Sequence, residues 1–129
     1  MPGGEAFSPA QRHEIDKAIR DAETLSRLEF SVYVGRSEGD PRAFAERCHA
    51  SLVAPPRSVL VLVDPAGKAL EIVTGGEAHR VLDDGEVKLA ALTMQTAFAE
   101  GDLVGGITRG VLQLAEHAAQ QPQVRHTGA

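Results

Sequence analysis

Length, composition and charge bound the class of protein. The chain has 129 residues, of which 43% are hydrophobic and 24% charged. This balance is typical of one globular domain with a single core, and it excludes a disordered chain. The formal net charge is −5, which disfavours attraction to nucleic-acid phosphates or to anionic lipid. We therefore expect no nucleic-acid partner and no insertion into a membrane.

Cysteine content and the N-terminal sequence indicate the cellular compartment. The single cysteine, Cys48, cannot form an intramolecular disulfide and has no CxxC partner for zinc or redox chemistry. The first ten residues lack the basic and apolar regions of a signal peptide, and the longest strongly apolar run, Val59 to Val63, is too short to span a bilayer. We expect a soluble, cytoplasmic protein that is a monomer.

The N-terminal part of the chain predicts one helix and one strand. Ser8 is a helix N-cap followed by Pro9, and Gln11 completes a capping box, so a helix begins here and runs to about Leu25. The segment from Leu28 to Val34 alternates between apolar and polar residues, which predicts a half-buried strand near one edge of a sheet.

A second helix follows, with one packed face. Asp40 is its N-cap, and the two prolines at positions 55 and 56 stop it. Phe44, Cys48 and Leu52 recur at intervals of four on one face. We therefore expect Cys48 to be buried and unreactive.

The middle of the chain predicts a β-hairpin. Val59 to Val63 has no polar face, as expected of a central strand that is covered on both sides. Asp64 to Lys68 supplies turn residues, and Ala69 to Thr74 is predicted to be an antiparallel third strand. The first two strands are joined by a helix, so they should be parallel.

Two helices are predicted at the C-terminal end. Asp83 and Glu86 form a capping box for a helix that runs through Phe98 and is apolar nearly all round, so we expect it to be well buried. Gly101 ends it, and Asp102 caps a last helix, in which Gly106 and Gly110 should allow close packing on its neighbour. The inner stripe of that last helix consists of Leu103, Ile107, Val111, Leu114 and Ala118.

These elements predict an α/β fold: a three-layer α/β/α sandwich around a small mixed sheet of three or four strands. We expect residues 1–7 to be a flexible N-terminus, residues 8–119 a single domain and residues 120–129 a disordered tail.

A candidate ligand site, here called the rim, combines the segments 55–58 and 75–84. Under the predicted topology the chain enters the second strand and leaves the third at the same end of the sheet. The candidate ligand-binding residues are Arg57, Glu77, His79 and Arg80, and the candidate metal ligands are Asp83 and Asp84. Oxygen ligands suit calcium or magnesium, but Asp83 and Asp84 also suit helix capping, and Arg57 and Arg80 can neutralise carboxylates pairwise. We therefore expect no cofactor.

Other catalytic signatures are missing from the sequence. There is no GxSxG nucleophile elbow, no HExxH pair and no Walker or dinucleotide loop. His13, His49, His117 and His126 are expected to be solvated helix or tail residues.

Two stretches of the sequence resemble the TPM domain, a family named for thylakoid-lumen phosphatase-like and membrane-associated members. They are PPRSVLVLVDPAGKALEIVTGGEAHRVLDD and FAEGDLVGGITRGVLQL. The resemblance covers about Leu28 to Ala118 and includes the phrase FxxGDxxxGI. It implies an α/β/α sandwich, and some members are reported as acid phosphatases or calcium binders. Family members usually carry an acidic-polar-glycine step before the central strand, where this chain has Pro56, Arg57 and Ser58. The chain more closely resembles small stand-alone actinobacterial relatives of unknown function.

The sequence leaves several functions open. Our leading hypothesis is a non-enzymatic binding or protein-interaction module with an unknown protein partner. The alternative is a weak metal-dependent acid phosphatase, in which Glu77, Asp83 and Asp84 hold the metal and Arg57 steadies the phosphate. A scaffold for a membrane complex is a third reading.

Overall fold

A computed structural model describes residues 7–121, and the predictions for residues 1–6 and 122–129 lie outside the described residues. The described chain forms five α-helices, a short 3-10 turn and three strands. In chain order they are α1 (Pro9–Ser26), β1 (Glu29–Val34), α2 (Pro41–Ala50), the 3-10 turn (Pro55–Arg57), β2 (Ser58–Asp64), β3 (Ala69–Thr74), α3 (Gly76–His79), α4 (Asp84–Ala99) and α5 (Leu103–Gln120).

The three strands form one mixed sheet in the order β1-β2-β3. β1 runs parallel to β2 with Val32 opposite Val61, and β3 runs antiparallel to β2 with Ile72 opposite Val61. Every residue of β2 is buried, because helices cover both faces of this central strand. The predicted central strand, hairpin and parallel pair are therefore confirmed.

Alternate residues of β2 belong to two separate apolar clusters, which define the layers. Val59, Val61 and Val63 pack with α1, α4 and α5 in the larger cluster. Leu60 and Leu62 pack on the opposite face with Ala45 and neighbouring residues of α2. The predicted three-layer α/β/α sandwich is confirmed, with one helix on one face and three long helices on the other.

Local capping fixes where the helices begin. Ser8 and Gln11 form a reciprocal capping box at α1, and Asp83 and Glu86 form another at α4, as predicted. The two α5 glycines are also explained by packing, because a Cβ on Gly106 would lie 2.6 Å from Cε1 of Phe98 and one on Gly110 would overlap Met94. The bare glycine backbone allows α5 to approach α4 closely.

The predicted burial of α4 is wrong on one side of the helix. Met94 is fully buried against α5 and the sheet, as are Ala90 and Ala97. Leu89 and Leu92 are each 53% exposed. The sheet and α5 lie on the inner side of α4 only, so the two leucines of its outer face stay half-exposed among polar side chains.

Helix α2 contains two further corrections. His49, predicted to be solvated, is buried, and its Nε2 lies 2.9 Å from the carbonyl oxygen of Ser58. Cys48, predicted to be buried, is only half-buried. The side of α2 that faces the sheet contains Ala45 and His49, which are its buried residues. The stripe that contains Cys48 lies next to this side, so Cys48 is only partly covered.

Candidate functional site

The two segments of the rim lie in contact at the amino end of β2. The N–H of Gly75 donates to the carbonyl of Ser58 at 3.0 Å. A Cβ at Gly75 would overlap the backbone carbonyl of Pro55, so the chain after β3 passes directly over the 3-10 turn that precedes β2. The topology predicted from the sequence therefore places these segments side by side.

One ion pair found between residues 7 and 121, His79 with Asp84, joins two side chains of the rim, whereas Arg57 and Asp83 bond to other groups. Arg57 donates from Nη2 to the carbonyl of Arg27 at 2.6 Å, at the turn between α1 and β1. His79 lies on α3 with its Nδ1 3.9 Å from Oδ1 of Asp84, and both side chains are largely exposed. Oδ1 of Asp83 accepts from the N–H of Glu86 at 2.9 Å, so this oxygen caps α4.

The charged groups of the rim do not form a compact cluster. None of the ion pairs found between residues 7 and 121 includes Arg57 or Arg80, so the pairwise neutralisation expected from the sequence is not formed. Within the same residues, no three His, Cys, Asp or Glu side chains are grouped in a way that could hold a metal ion. Ligand or metal binding at the rim therefore stays a prediction for all six of its candidate residues: Arg57, Glu77, His79, Arg80, Asp83 and Asp84.

At the opposite end of β2 lies a buried carboxylate, that of Asp64, which the sequence analysis considered only as a turn residue. Asp64 ends β2 and is 6% exposed. Its Oδ2 accepts from the N–H of Ser37 at 3.0 Å and from the Ser37 hydroxyl at 2.9 Å, and its Oδ1 accepts from the N–H of Gly67 at 2.9 Å. The Ser37 and Gly67 amides lower the pKa of Asp64 below 3.8, and burial opposes them. The ionised carboxylate thus joins the loop after β1 to the hairpin turn.

A cavity of about 590 Å³ lies beside this carboxylate, between the β2–β3 hairpin and the junction of α4 and α5. Its walls are mainly apolar: Val63, Pro65, Ala69, Leu70, Phe98, Ala99, Gly101 and Leu103. The polar side chains among its lining residues are Asp64, Lys68 and Gln95. Lys68 has a φ of 54°, a left-handed conformation that glycine or asparagine usually occupies.

The outer face of α4 is a second feature that the sequence analysis missed. Leu89 and Leu92 are one helical turn apart, and Arg109 and Gln113 of α5 lie along the same shallow depression. Thr93 joins the two helices by donating from Oγ1 to Oε1 of Gln113 at 2.7 Å. The sequence signal for this face was the high apolar content of α4. One sheet and one neighbouring helix cannot cover that much apolar surface.

These features define a small α/β sandwich domain, and solved structures share its fold. The BA42 protein of the psychrophilic bacterium Bizionia argentinensis matches with a TM-score of 0.81 and 23% identity, over 90% of this chain and 83% of that one. The N-terminal domain of the cg2496 protein of Corynebacterium glutamicum matches with a TM-score of 0.73 and 15% identity, over 90% and 77%. The N-terminal domain of a protein from P. gingivalis matches with a TM-score of 0.72 and 20% identity, over 86% and 75%. At these identities the likeness shows the fold.

The chain belongs to the family described as a domain of unknown function (DUF5130), whose model matches residues 2–115. The uncharacterized protein Rv2468c of Mycobacterium tuberculosis is 25% identical over 109 residues, which is 84% of this chain and 65% of that protein. The chain therefore spans somewhat less than two thirds of the length of this curated relative. An actinobacterial relative of unknown function agrees with the sequence analysis.

Between residues 7 and 121, no helix is both long and apolar enough to cross a bilayer.

Proposed function

We propose that the chain is a non-enzymatic protein-interaction module with a TPM-like fold, which binds a protein partner through the outer face of α4. The observation that carries this proposal is the half-exposure of both Leu89 and Leu92, at 53% each, on a helix whose opposite side is fully buried. Exposed leucines one turn apart on a helix form an apolar strip of the kind that a partner ordinarily covers. A partner would supply the cover for this outer face.

The chemistry of the face favours an amphipathic helix from another protein. Leu89 and Leu92 lie at i and i+3, so they form a ridge with the spacing that fits the apolar stripe of a second helix. Glu100 and Arg109 also line this depression and offer charges of both signs to the polar flanks of such a helix. Complete burial of a leucine contributes about 1.5–3 kcal/mol, so two half-exposed leucines can anchor an interface.

Two further points support a module that works by association. Two of the proteins that share the fold were solved as N-terminal domains, so in those proteins the domain belongs to a longer chain. The half-exposed leucines lie on the surface of a long helix, where a docking partner needs no rearrangement of the core. The domain acts as a monomer in the cytoplasm and contributes this one face.

Site-directed cross-linking tests the interaction. A photoreactive residue replaces Leu92 in the full chain, in the cells that produce it, and a matched variant carries it at the exposed Ala119 of α5. We expect a discrete cross-linked partner from position 92 alone. The purified partner should bind the wild-type chain at least tenfold more tightly than Leu92→Lys, while Ala119→Lys binds normally. Equal cross-linking at both positions, or equal affinities, would refute the proposal.

The oligomeric state separates a foreign partner from a second copy. Sedimentation of the purified chain should give a monomer with or without Leu92→Lys. A dimer that Leu92→Lys dissolves would mean that two copies of this chain cover each other, which contradicts a different protein as partner.

The second candidate, a metal-dependent acid phosphatase, is favoured by the exposed Asp84 at the rim. Its side chain is 97% exposed, so its oxygens are accessible to a cation, and His79 lies beside it. In this reading Glu77 and Asp83 have to move towards Asp84 to complete the metal site, because no three such side chains between residues 7 and 121 are grouped for a metal. Arg57 has to turn from the Arg27 carbonyl towards the phosphate. Hydrolysis of p-nitrophenyl phosphate with magnesium or calcium tests it. Turnover that disappears in Asp84→Asn would favour the phosphatase over the interaction module.

A further inference from the structure

We propose that the cavity between the β2–β3 hairpin and the α4–α5 junction binds an aliphatic carboxylate, with its chain against the apolar walls and its head group at Lys68. This inference goes beyond the proposed protein interaction and does not depend on it. The cavity and the outer face of α4 share no lining residues.

The position of the cavity is the first argument. Val63 and Asp64, at the carboxyl end of β2, form part of its wall. In open α/β sheets, ligands bind outside the carboxyl ends of the parallel strands, and β1 and β2 are the parallel pair. The rim, by contrast, lies at the amino end of β2.

The size and lining of the cavity select an apolar ligand body. About 590 Å³ lies within the usual range for small-molecule sites, and the walls are formed chiefly by aliphatic side chains and one aromatic ring. The ring is that of Phe98, which packs against the bare backbone of Gly106 in α5. The α4 end of the wall is fixed by the N–H of Gly101, which donates to the Phe98 carbonyl at 2.9 Å. These contacts preform the apolar surface.

The polar groups of the cavity select the head group. Asp64 is nearly buried, and both of its oxygens already accept hydrogen bonds from Ser37 and Gly67. Lys68 is exposed, and no carboxylate among residues 7–121 forms an ion pair with it. A ligand that enters the cavity therefore meets one cation with no partner and one carboxylate that is already bonded. This arrangement favours an anionic head group.

The backbone at Lys68 supports a role for its side chain. Its φ of 54° lies in the left-handed region, where glycine would fit without strain. The turn itself is closed by backbone and Asp64 contacts, including Lys68 N–H to the Pro65 carbonyl at 3.2 Å, and it makes no use of the lysine ammonium. A lysine here costs stability, and the ligand accounts for its presence.

Decanoate is the probe, added below its critical micelle concentration to the full chain and followed by amide shifts in NMR spectra. We expect saturable shifts confined to residues around the cavity. Decyltrimethylammonium, which has the same tail and the opposite charge, should bind at least tenfold more weakly. The chain has a net charge of −5, so non-specific attraction would favour the cation, and a preference for decanoate must come from a local positive charge.

Variants test the cation of the cavity and its apolar wall one at a time. Lys68→Gly should weaken decanoate binding about tenfold while raising the melting temperature, and Lys68→Arg should restore the affinity. Ala99→Phe places a ring in the cavity at an exposed position and should abolish binding, whereas Ala119→Phe, exposed on α5 away from the cavity, should not.

Three results would overturn the inference: no saturable shifts, equal binding of both amphiphiles, or decanoate binding that persists in Ala99→Phe. Leu92→Lys should leave decanoate binding unchanged. The cross-linking and affinity measurements therefore test the protein interaction, and decanoate binding tests the cavity independently of it.

Discussion

Replacing Asp64 with asparagine should destabilise the fold in a way that depends on pH. The carboxylate accepts three hydrogen bonds, from the Ser37 N–H, the Ser37 hydroxyl and the Gly67 N–H. An asparagine has one oxygen in place of two, so either the Gly67 amide or the Ser37 groups would face an NH₂ donor. An unsatisfied donor of this kind costs about 1–3 kcal/mol. We expect Asp64→Asn to lower the free energy of unfolding by about 2 kcal/mol at pH 7 and the melting temperature by roughly 6–10 °C.

The pH dependence follows from the direction of the pKa shift. The Ser37 and Gly67 amides hold the pKa of Asp64 below its ordinary value of 3.8 in the folded chain. The folded state therefore favours the ionised form, and this stabilisation is complete above the unfolded-state pKa near 4. As the pH falls through the folded-state pKa, Asp64 is protonated and the stabilisation is lost. The difference between the wild type and Asp64→Asn should shrink accordingly towards pH 2.

Urea unfolding at a series of pH values measures this difference. Asp84→Asn is the matched control, because it removes the same charge from a side chain that is 97% exposed. The control should cost no more than about 1 kcal/mol, since it removes an exposed charge from the first turn of α4. An equal loss of stability at pH 7 and pH 2 in Asp64→Asn would mean that the effect comes from packing, and it would refute the assignment of a stabilising ionised carboxylate.

Three other substitutions or additions test separate parts of the fold and the rim. Gly110→Ala should cost about 1–3 kcal/mol in urea unfolding, because the new methyl overlaps Met94, and an unchanged midpoint would contradict the close helix packing. His49→Ala should cost about 1–3 kcal/mol, since it removes the contact with the Ser58 carbonyl and opens a void, and neutrality would contradict its burial. Millimolar calcium should leave the melting temperature unchanged, and an upward shift that Asp84→Asn abolishes would contradict our expectation that the rim binds no calcium.

The fold was accessible from the sequence because each element carries a local signal that agrees with the global pattern. The capping boxes at Ser8 and Asp83 mark helix starts, and β2 shows its central position by lacking any polar residue between Val59 and Val63. The hairpin turn contains Pro65 and Gly67, whose backbone preferences are strong. These signals are short-range, and they can be read without knowing which elements touch.

Burial around the helices could not be derived in the same way. Whether Cys48 or Ala45 lies at the centre of the α2 contact depends on a rotation of the helix by a fraction of a turn. The outer face of α4 depends on how many neighbours are available, and Leu89 has the same apolar character as the buried Met94. The spacing of apolar residues predicts which side chains share one face of a helix. How deeply that face is buried depends on where the neighbouring element lies.

The two ends of the sheet explain why the sequence pointed to the rim and not to the cavity. Charged residues crowd the segment 75–84 at the amino end of β2, and titratable residues close together in a sequence are readily interpreted as a site. At the carboxyl end, the lining residues come from the hairpin, from α4 and from the start of α5, so no stretch of sequence displays them together. Lys68 is visible in the sequence as a turn residue of DPAGK. Its left-handed backbone and its place in the wall of the cavity that Leu70 and Phe98 also line are seen only in the folded chain. A site formed from apolar walls and one cation has no sequence motif, and it is recognised by the position of its wall at the carboxyl end of a parallel strand.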